Sequence, residues 1–520
     1  MSPFMGAAFV VLATAYSTTR FSLLVRFKWV GCDTYYHLIL GGLIRERGVK
    51  HLINDRFVIP ELVNYPPLFP RLVSLMPARR LQLLQYSAPL VDAITLCGVV
   101  IAAWRWWGLP AGLIAALVYV TTPYTFDIAY SLNPRPIANL FLSFALIALG
   151  WDNQPAVAAV VAASVLSAGV LLSHRLTAQS LLACLIVYGV FHPEAAIAVA
   201  GLAPALAIAL SGGYYVHSFR GHAAALRTMA ASSISPTYWA QNVSRILRGN
   251  PHLVTVVAVT ALVGESVGTR GGLVLAFTSA LLIVAVVFPF GEGDRHFASA
   301  SSSVALFLAG TATTPLGMSA LACTVTLGFA VILMKNLVYP RLAAGGSSTI
   351  VTQTLRDACD QIRWAWRLPG RPLVLVWPQS LSYQVMYFAN ARVHVASGGT
   401  GSGLRYNRQF EARLIRDGLV GLRQDEQPDF LLAVGSASNT MEVPDMLWTR
   451  VFQRDDVTAY RRNEPRSPNE ATVEESDPVG SARAVTTLPR EPDPFSGPSA
   501  ARNPRSMAGT WRSEQSRVDA

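Results

Sequence analysis

Charge is scarce in this chain, and one cation is almost missing. Asp, Glu, Lys and Arg make up 14% of the 520 residues, against the ~25% usual for soluble domains, which excludes an ordinary water-soluble protein of this size. Lysine occurs only as Lys28, Lys50 and Lys335, so the net charge of +11 is carried by arginine. No nucleic-acid-binding motif accompanies it, and the excess is assigned to lipid headgroups, with no nucleic-acid partner. Cysteine is sparse too. Cys32, Cys97, Cys184, Cys323 and Cys359 are scattered with no CxxC spacing, which leaves them packing roles and removes zinc and dithiol chemistry. The first apolar segment has no basic leader, its first charge being Arg20, so it is expected to persist as a helix and not to be cleaved as a signal. No internal repeat is found.

Long apolar runs are what the sequence has in abundance, with hydrophobic residues at 52%. A bilayer core takes about 20 apolar helical residues, ~17 at the short end, because no water satisfies the backbone there. The stretches that meet or approach this length are Ser2 to Thr19, Tyr86 to Trp104, Gly108 to Thr125, Pro136 to Gly150, Pro155 to Leu172, Leu176 to Phe191, Pro193 to Ser211, His252 to Gly264, Gly271 to Phe290, Ala300 to Pro315 and Gly317 to Met334. The expected fold over 1–340 is an all-α polytopic membrane bundle of about 11 transmembrane helices. An amphipathic linker, 341–370, follows, with a helix from Gln353 to Leu368. Leu373 to Trp377 reads as a strand, Leu381 to Asn390 as a helix and Val393 to Ala396 as a strand, a βα unit to which the apolar run Phe430 to Val434 adds. This predicts a small α/β soluble domain over 371–462. Residues 463–520 are rich in Pro, Ser, Arg, Asp and Glu and cannot bury a core, so a disordered tail is expected.

Ionisable groups beside apolar helices are costly and therefore informative. In this scheme the odd-numbered loops hold Asp33 and His37, then Asp127 and Arg135, then His174 and Arg175, then the acid-free loop from Gly212 to Pro251 with Arg220, Arg227, Arg245 and Arg248, then Glu292, Asp294, Arg295 and His296. The even-numbered loops offer only Arg105, Asp152, Glu194, Glu265 and Arg270. One face thus carries nearly all the candidate chemistry together with the soluble domain. In the first loop, Gly31-Cys32-Asp33-Thr34-Tyr35-Tyr36-His37-Leu38 spaces Asp33 and His37 four apart, so a helix presents both on one face. The pair suits a base with an orienting partner, or two ligands of a divalent cation. Downstream, Asn64-Tyr65-Pro66-Pro67-Leu68-Phe69-Pro70 is a stiff, aromatic segment that its prolines exclude from a helix interior, as a re-entrant or lid-like loop requires.

Asp33-Thr34-Tyr35-Tyr36-His37-Leu38 resembles the acidic motif in the first external loop of the GT-C glycosyltransferases, most closely that of archaeal oligosaccharyltransferase catalytic subunits. The Tyr65-Pro66-Pro67 patch and the loop Gly291-Glu292-Gly293-Asp294-Arg295-His296-Phe297 also resemble elements of this superfamily, which includes protein mannosyltransferases and lipid A aminoarabinose transferases. The resemblance implies a multi-pass cell-membrane enzyme with its motif loops and C-terminal domain outside the cytoplasm. It further implies transfer of a sugar from a polyprenyl-phosphate donor to a lipid, glycan or protein acceptor. Asp33 takes the place of the family's catalytic acid, with Asp33 and His37 as candidate ligands of a divalent cation, Mg or Mn. Tyr36, His37, Arg135, His174, Arg175, Glu292, Asp294, Arg295 and His296 are the candidate substrate-binding residues, arginine being suited to phosphate. The family's WWDYG-like acceptor motif has no counterpart after Arg371, where Trp377 and Trp448 stand alone. The second external loop, where Asp127 and Arg135 flank Tyr130-Ser131-Leu132-Asn133-Pro134, has no paired acids.

Two other classes compete. A transporter or lipid flippase is expected to show repeated halves and mid-span polar groups, and a non-enzymatic scaffold needs no acidic motif. Orientation pulls the other way, since arginine-rich loops favour the cytoplasmic side, a rule that relaxes for loops as long as Arg20 to Gln85.

Overall fold

The computed structural model describes residues 32–49, 52–58, 61–123, 132–151, 156–233, 268–287, 294–312, 315–344, 352–395, 427–435 and 446–463, with isolated positions between 12 and 24, at 252, between 406 and 422, and at 443. The first loop is ordered by its own elements. Helix α1 (Cys32–Arg47) is followed by a short antiparallel pair, β1 (Ile53–Asn54) and β2 (Glu61–Leu62), then by α2 (Leu68–Leu75) and a 3-10 turn over Ala78–Tyr86. Pro67 caps α2 and Pro70 lies in its first turn, where a missing N–H costs nothing.

The apolar stretches form the helical bundle: α3 (Ser87–Trp107), α4 (Leu109–Thr121), α5 (Arg135–Leu149), α6 (Val157–Ser173), α7 (Arg175–Phe191), α8 (Pro193–Leu210), α9 (Tyr214–Ser233), α10 (Gly268–Val287), α11 (Asp294–Thr311) and α12 (Pro315–Ala344). Gly108, at φ 90°, makes the tight turn from α3 to α4, a conformation that costs other residues. Close packing uses glycine differently at Gly98 and Gly169, where an added Cβ would strike Phe144 and Phe141 of α5, as small-residue contacts allow between membrane helices. Val157, Ile186, Val190 and Ile197 stand exposed on the outside of α6, α7 and α8, the arrangement a lipid solvent favours and water does not. Among the described residues, Leu83–Trp107 and Pro193–Leu210 are long and apolar enough to cross a membrane, and the other apolar helices are shorter.

Beyond the bundle come α13 (Gln353–Ala365), β3 (Leu373–Trp377), α14 (Ser382–Phe388), β4 (Arg392–Val393), β5 (Phe430–Val434), β6 (Trp448–Arg454) and β7 (Val457–Arg462). They build one mixed sheet in the order β4-β3-β5-β7-β6, parallel from β4 to β5 and antiparallel thereafter. Strand β3 lies where the apolar pattern predicts it, the helix after it stops short of Asn390, which adopts φ 51°, and the next strand begins one residue before the expected Val393, at Arg392. The closing hairpin of β6 and β7, turning at Asp455 (φ 51°), has no counterpart among the sequence expectations. Nor does α9, since the basic segment expected as a loop begins with twenty helical residues.

The first loop and the soluble domain share a core. Leu38, Leu43, Phe57, Phe69 and Val73 of the loop are packed in one cluster with Leu355, Ile362, Val374, Val385, Val393 and Phe430. Backbone bonds join them as well: Val393 N–H donates to Arg56 O (2.8 Å) and Val58 N–H to Val393 O (3.0 Å), so Phe57 bridges β4 in parallel and extends the sheet by one residue pair. Arg56 donates to Met386 O (3.2 Å), Arg392 to Val58 O (3.3 Å), and Arg371 pairs with Asp55 (3.3 Å).

The expected spans Ser2 to Thr19 and His252 to Gly264 lie almost wholly outside the described residues, as do Asp127, Glu292 and the tail beyond Asn463. For Asp294, Arg295 and His296 the backbone is described, as the start of α11, and the side chains are not.

Candidate active site beneath the first loop

Asp33 occupies the first turn of α1, where a carboxylate favours the positive end of the helix. Its carboxylate faces the Arg135 guanidinium at 3.7 Å, with the arginine side chain 18% and the aspartate 46% exposed. A half-open pair of this kind adds only about 0.2–1 kcal/mol, so its weight lies in position: an accessible acid beside a fixed cation. Arg135 is held by its own turn, its N–H donating to Asn133 Oδ1 (2.9 Å). Thr34, fully buried, accepts from Leu132 N–H (3.0 Å) and ties α1 to the loop that leads into α5.

His37, one turn after Asp33, is buried among rings, with Tyr36, Tyr65 and Phe69 at centroid distances of 5.4, 5.2 and 5.0 Å. Burial, reinforced by the Arg135 charge and opposed by Asp33, lowers its pKa to about 4. The ring is therefore neutral near pH 7, and its Nδ1 has no hydrogen-bond partner among the described residues. No cluster of three or more His, Cys, Asp or Glu side chains able to hold a metal occurs among the described residues. Asp33 and His37 by themselves do not complete a coordination shell.

His174 and Arg175 lie close by with different tasks. His174 caps α7, its Nδ1 accepting from Thr177 N–H (3.3 Å) and pairing with Thr177 Oγ1 (3.0 Å). Arg175 donates to both the backbone and side-chain oxygens of Asn64 and lies over the Tyr65 ring at 5.6 Å. It thereby pins the proline-stiffened turn. From the other side Tyr214 of α9 donates to Val63 O, Gly221 leaves room for Asn64, and His222 pairs with Gln179 (2.9 Å).

Helices α5 and α11 run side by side in the same direction, linked by Ser299 to Asn139 (3.0 Å) and Ser143 to Ser302 (2.7 Å). Their N-terminal ends are therefore level, which brings the Asp294–His296 backbone to the end of the bundle that holds Arg135. Together with α7 at Arg175, three helix N-termini gather under the first loop, and such termini favour anions.

One group was missed in the sequence. Asp92, buried in α3, accepts from Tyr16 (2.7 Å) and Tyr119 (2.6 Å) and meets Arg20 at 3.7 Å, while Arg20 also donates to Val120 O (3.2 Å). This clasp fixes the chain where the first loop leaves the bundle and where α4 ends. A lone acid inside the apolar stretch from Tyr86 to Trp104 was the available signal.

No protein-family model matches the sequence, and no curated protein does. Solved structures do. The oligosaccharyltransferase AglB of Archaeoglobus fulgidus, in complex with an inhibitory peptide and a dolichol-phosphate, superposes with TM-score 0.55 at 10% identity over 83% of this chain and 69% of that one. The Archaeoglobus fulgidus oligosaccharyltransferase in complex with Zn and sulfate gives TM-score 0.50 at 11% identity, covering 82% and 68%. ArnT from Cupriavidus metallidurans in the apo state matches with TM-score 0.42 at 14% identity, covering 87% and 97%. These superpositions give this chain the fold of the Archaeoglobus fulgidus oligosaccharyltransferase structures.

Proposed function

We propose that the protein is a membrane glycosyltransferase that moves a sugar from a polyprenyl-phosphate donor to a lipid, glycan or protein acceptor. The observation that carries this reading is the Asp33–Arg135 pair, an accessible carboxylate 3.7 Å from a cation, set among helix N-termini at one end of a bundle with an oligosaccharyltransferase fold. A dolichol-phosphate bound to one such structure supports a lipid phosphate as the donor carrier. In the proposed step Asp33 accepts the proton of the acceptor's nucleophile as that atom bonds to the anomeric carbon. The bond from that carbon to the phosphate oxygen breaks, and the phosphate leaves with the electron pair. Arg135 and the gathered helix N-termini stabilise its charge. Transfer in one displacement inverts the anomeric centre.

The same reading assigns the apolar helices, with the segments near 2–19 and 252–264, to about eleven membrane passes. It sets the first loop and soluble domain outside the cytoplasm, in the cell membrane. Asp294, Arg295 and His296 are assigned to the donor side of the site because α11 begins level with Arg135.

The test is transfer of radiolabelled sugar from a panel of polyprenyl-phosphate sugars by the purified protein, beside Asp33→Asn checked for folding. The expected result is transfer by the wild type and a loss of about 10²–10⁴-fold in the variant. Equal activity in the two removes Asp33 from the mechanism, and no transfer from any donor sinks the enzyme reading.

A further inference from the structure

Three tyrosines from three separate parts of the chain meet one helical turn along α1 from Asp33. Tyr36 comes from α1, Tyr65 from the proline-stiffened turn and Tyr383 from α14 of the soluble domain. Ring centroids lie 6.0 Å apart for Tyr36 and Tyr65 and 5.2 Å for Tyr36 and Tyr383. All three residues are half-buried, whereas the neighbouring Tyr35 is wholly enclosed against Tyr387 and Phe388. Helical spacing sets Tyr36 on the face of Asp33, three residues before it. Tyr36, between Tyr65 and Tyr383, thus links the face of α1 that carries Asp33 to the soluble domain through three partly exposed residues.

A sugar ring has C–H groups on its flat faces and hydroxyls around its rim. Those C–H groups carry slight positive charge and are attracted to the negative face of an aromatic ring, while the rim hydroxyls bond to carboxylate and guanidinium. We propose that Tyr36, Tyr65 and Tyr383 form an aromatic platform that holds a pyranose beside Asp33, so that the soluble domain contributes directly to the sugar site. Tyr383 is fixed for this role, because the sheet edge is bonded to the first loop at Phe57 and Val393 and Arg56 holds Met386 O three residues further along. Phe57 also backs the Tyr383 ring at 6.3 Å. The use of the platform rests on the transferase reading; its existence as a sugar-binding surface does not.

The test is saturation-transfer NMR with the methyl pyranosides of mannose, glucose and galactose on the full-length protein in lipid nanodiscs. Wild type is expected to saturate the ring protons of at least one sugar. Tyr383→Ala is expected to weaken binding roughly two- to tenfold, the affinity equivalent of one lost aromatic face, with Tyr383→Phe close to wild type. Tyr387→Ala, which disturbs the packing on the Tyr35 side, is expected to keep the sugar signal. The platform is overturned if no sugar exceeds the empty-nanodisc signal, if Tyr383→Ala binds as wild type does, or if Tyr387→Ala loses as much as Tyr383→Ala. Sugar binding without transfer from any donor supports the platform while removing the transferase. Unchanged KM values in an active Tyr383→Ala remove the platform and leave the transferase standing.

Discussion

Arg135 and His37 bracket Asp33 in opposite ways, one charged and partly open, the other neutral and enclosed. If Arg135 steadies a departing phosphate, Arg135→Gln lowers transfer by about 10²-fold, the usual loss of one such donor, and initial-rate kinetics will read it. His37 has a folded pKa of about 4 against 6.5 for the free side chain, so the unfolded chain takes up the proton first. Its contribution to stability is complete above about pH 6.5 and is lost as pH falls toward 4. The thermal midpoint of the purified protein is expected to drop over that interval, and His37→Phe to drop less. His222, lowered to about 4 by burial and the Arg175 charge, adds to the same loss, so the double variant is expected to be flattest. The shared face of Asp33 and His37 was legible from their four-residue spacing, whereas the pairing of Arg135 with Asp33 was not, since the sequence sets Arg135 beside Asp127. The work of Arg175 was not: its partners, Asn64 and Tyr65, lie over a hundred positions away, and no local pattern separates an arginine that grips a turn from one that grips a phosphate.

Among the elements, the edge of the sheet carries the sharpest consequence. Val393 gives its N–H to Arg56 O across the boundary between soluble domain and first loop. Val393→Pro removes that donor and leaves Arg56 O without it, at a cost of about 1–3 kcal/mol. Hydrogen exchange is expected to rise over 52–58 while the interior of β5 stays protected. The strands β3 and β5 and the helix between β3 and β4 could be read from apolar runs of strand length, since central strands buried on both sides leave that trace. The hairpin of β6 and β7 left none: Thr449, Arg450, Gln453, Arg454, Arg461 and Arg462 spread polar groups along both strands. Helix α9 was hidden because His217, Arg220, His222 and Arg227 interrupt its apolar residues and read as a solvated loop.

At the scale of the whole molecule, the bundle has its own core and the first loop and soluble domain have another. Expressed alone, a fragment of 352–463 would leave an unpaired strand edge at β4 and expose Val385, Val393 and the rings that pack on Tyr35. It is expected to aggregate or to lack a cooperative melt, whereas a fusion that restores 32–86 is expected to recover one; circular dichroism during heating decides. The bundle was legible as apolar stretches, and the sheet as a βα unit. Their union was not, because it depends on contacts between segments that sequence order keeps far apart.

That separation also sets a clock. Arg392, which bonds Val58, is encoded 334 positions after it, and ribosomes add about 5–20 residues each second. For roughly 20 s to a minute the first loop exists without its partner strand. Nascent chains pass through a stage in which Asp33 is present but its scaffold is incomplete, so the loop acquires its final shape only when the C-terminal domain arrives.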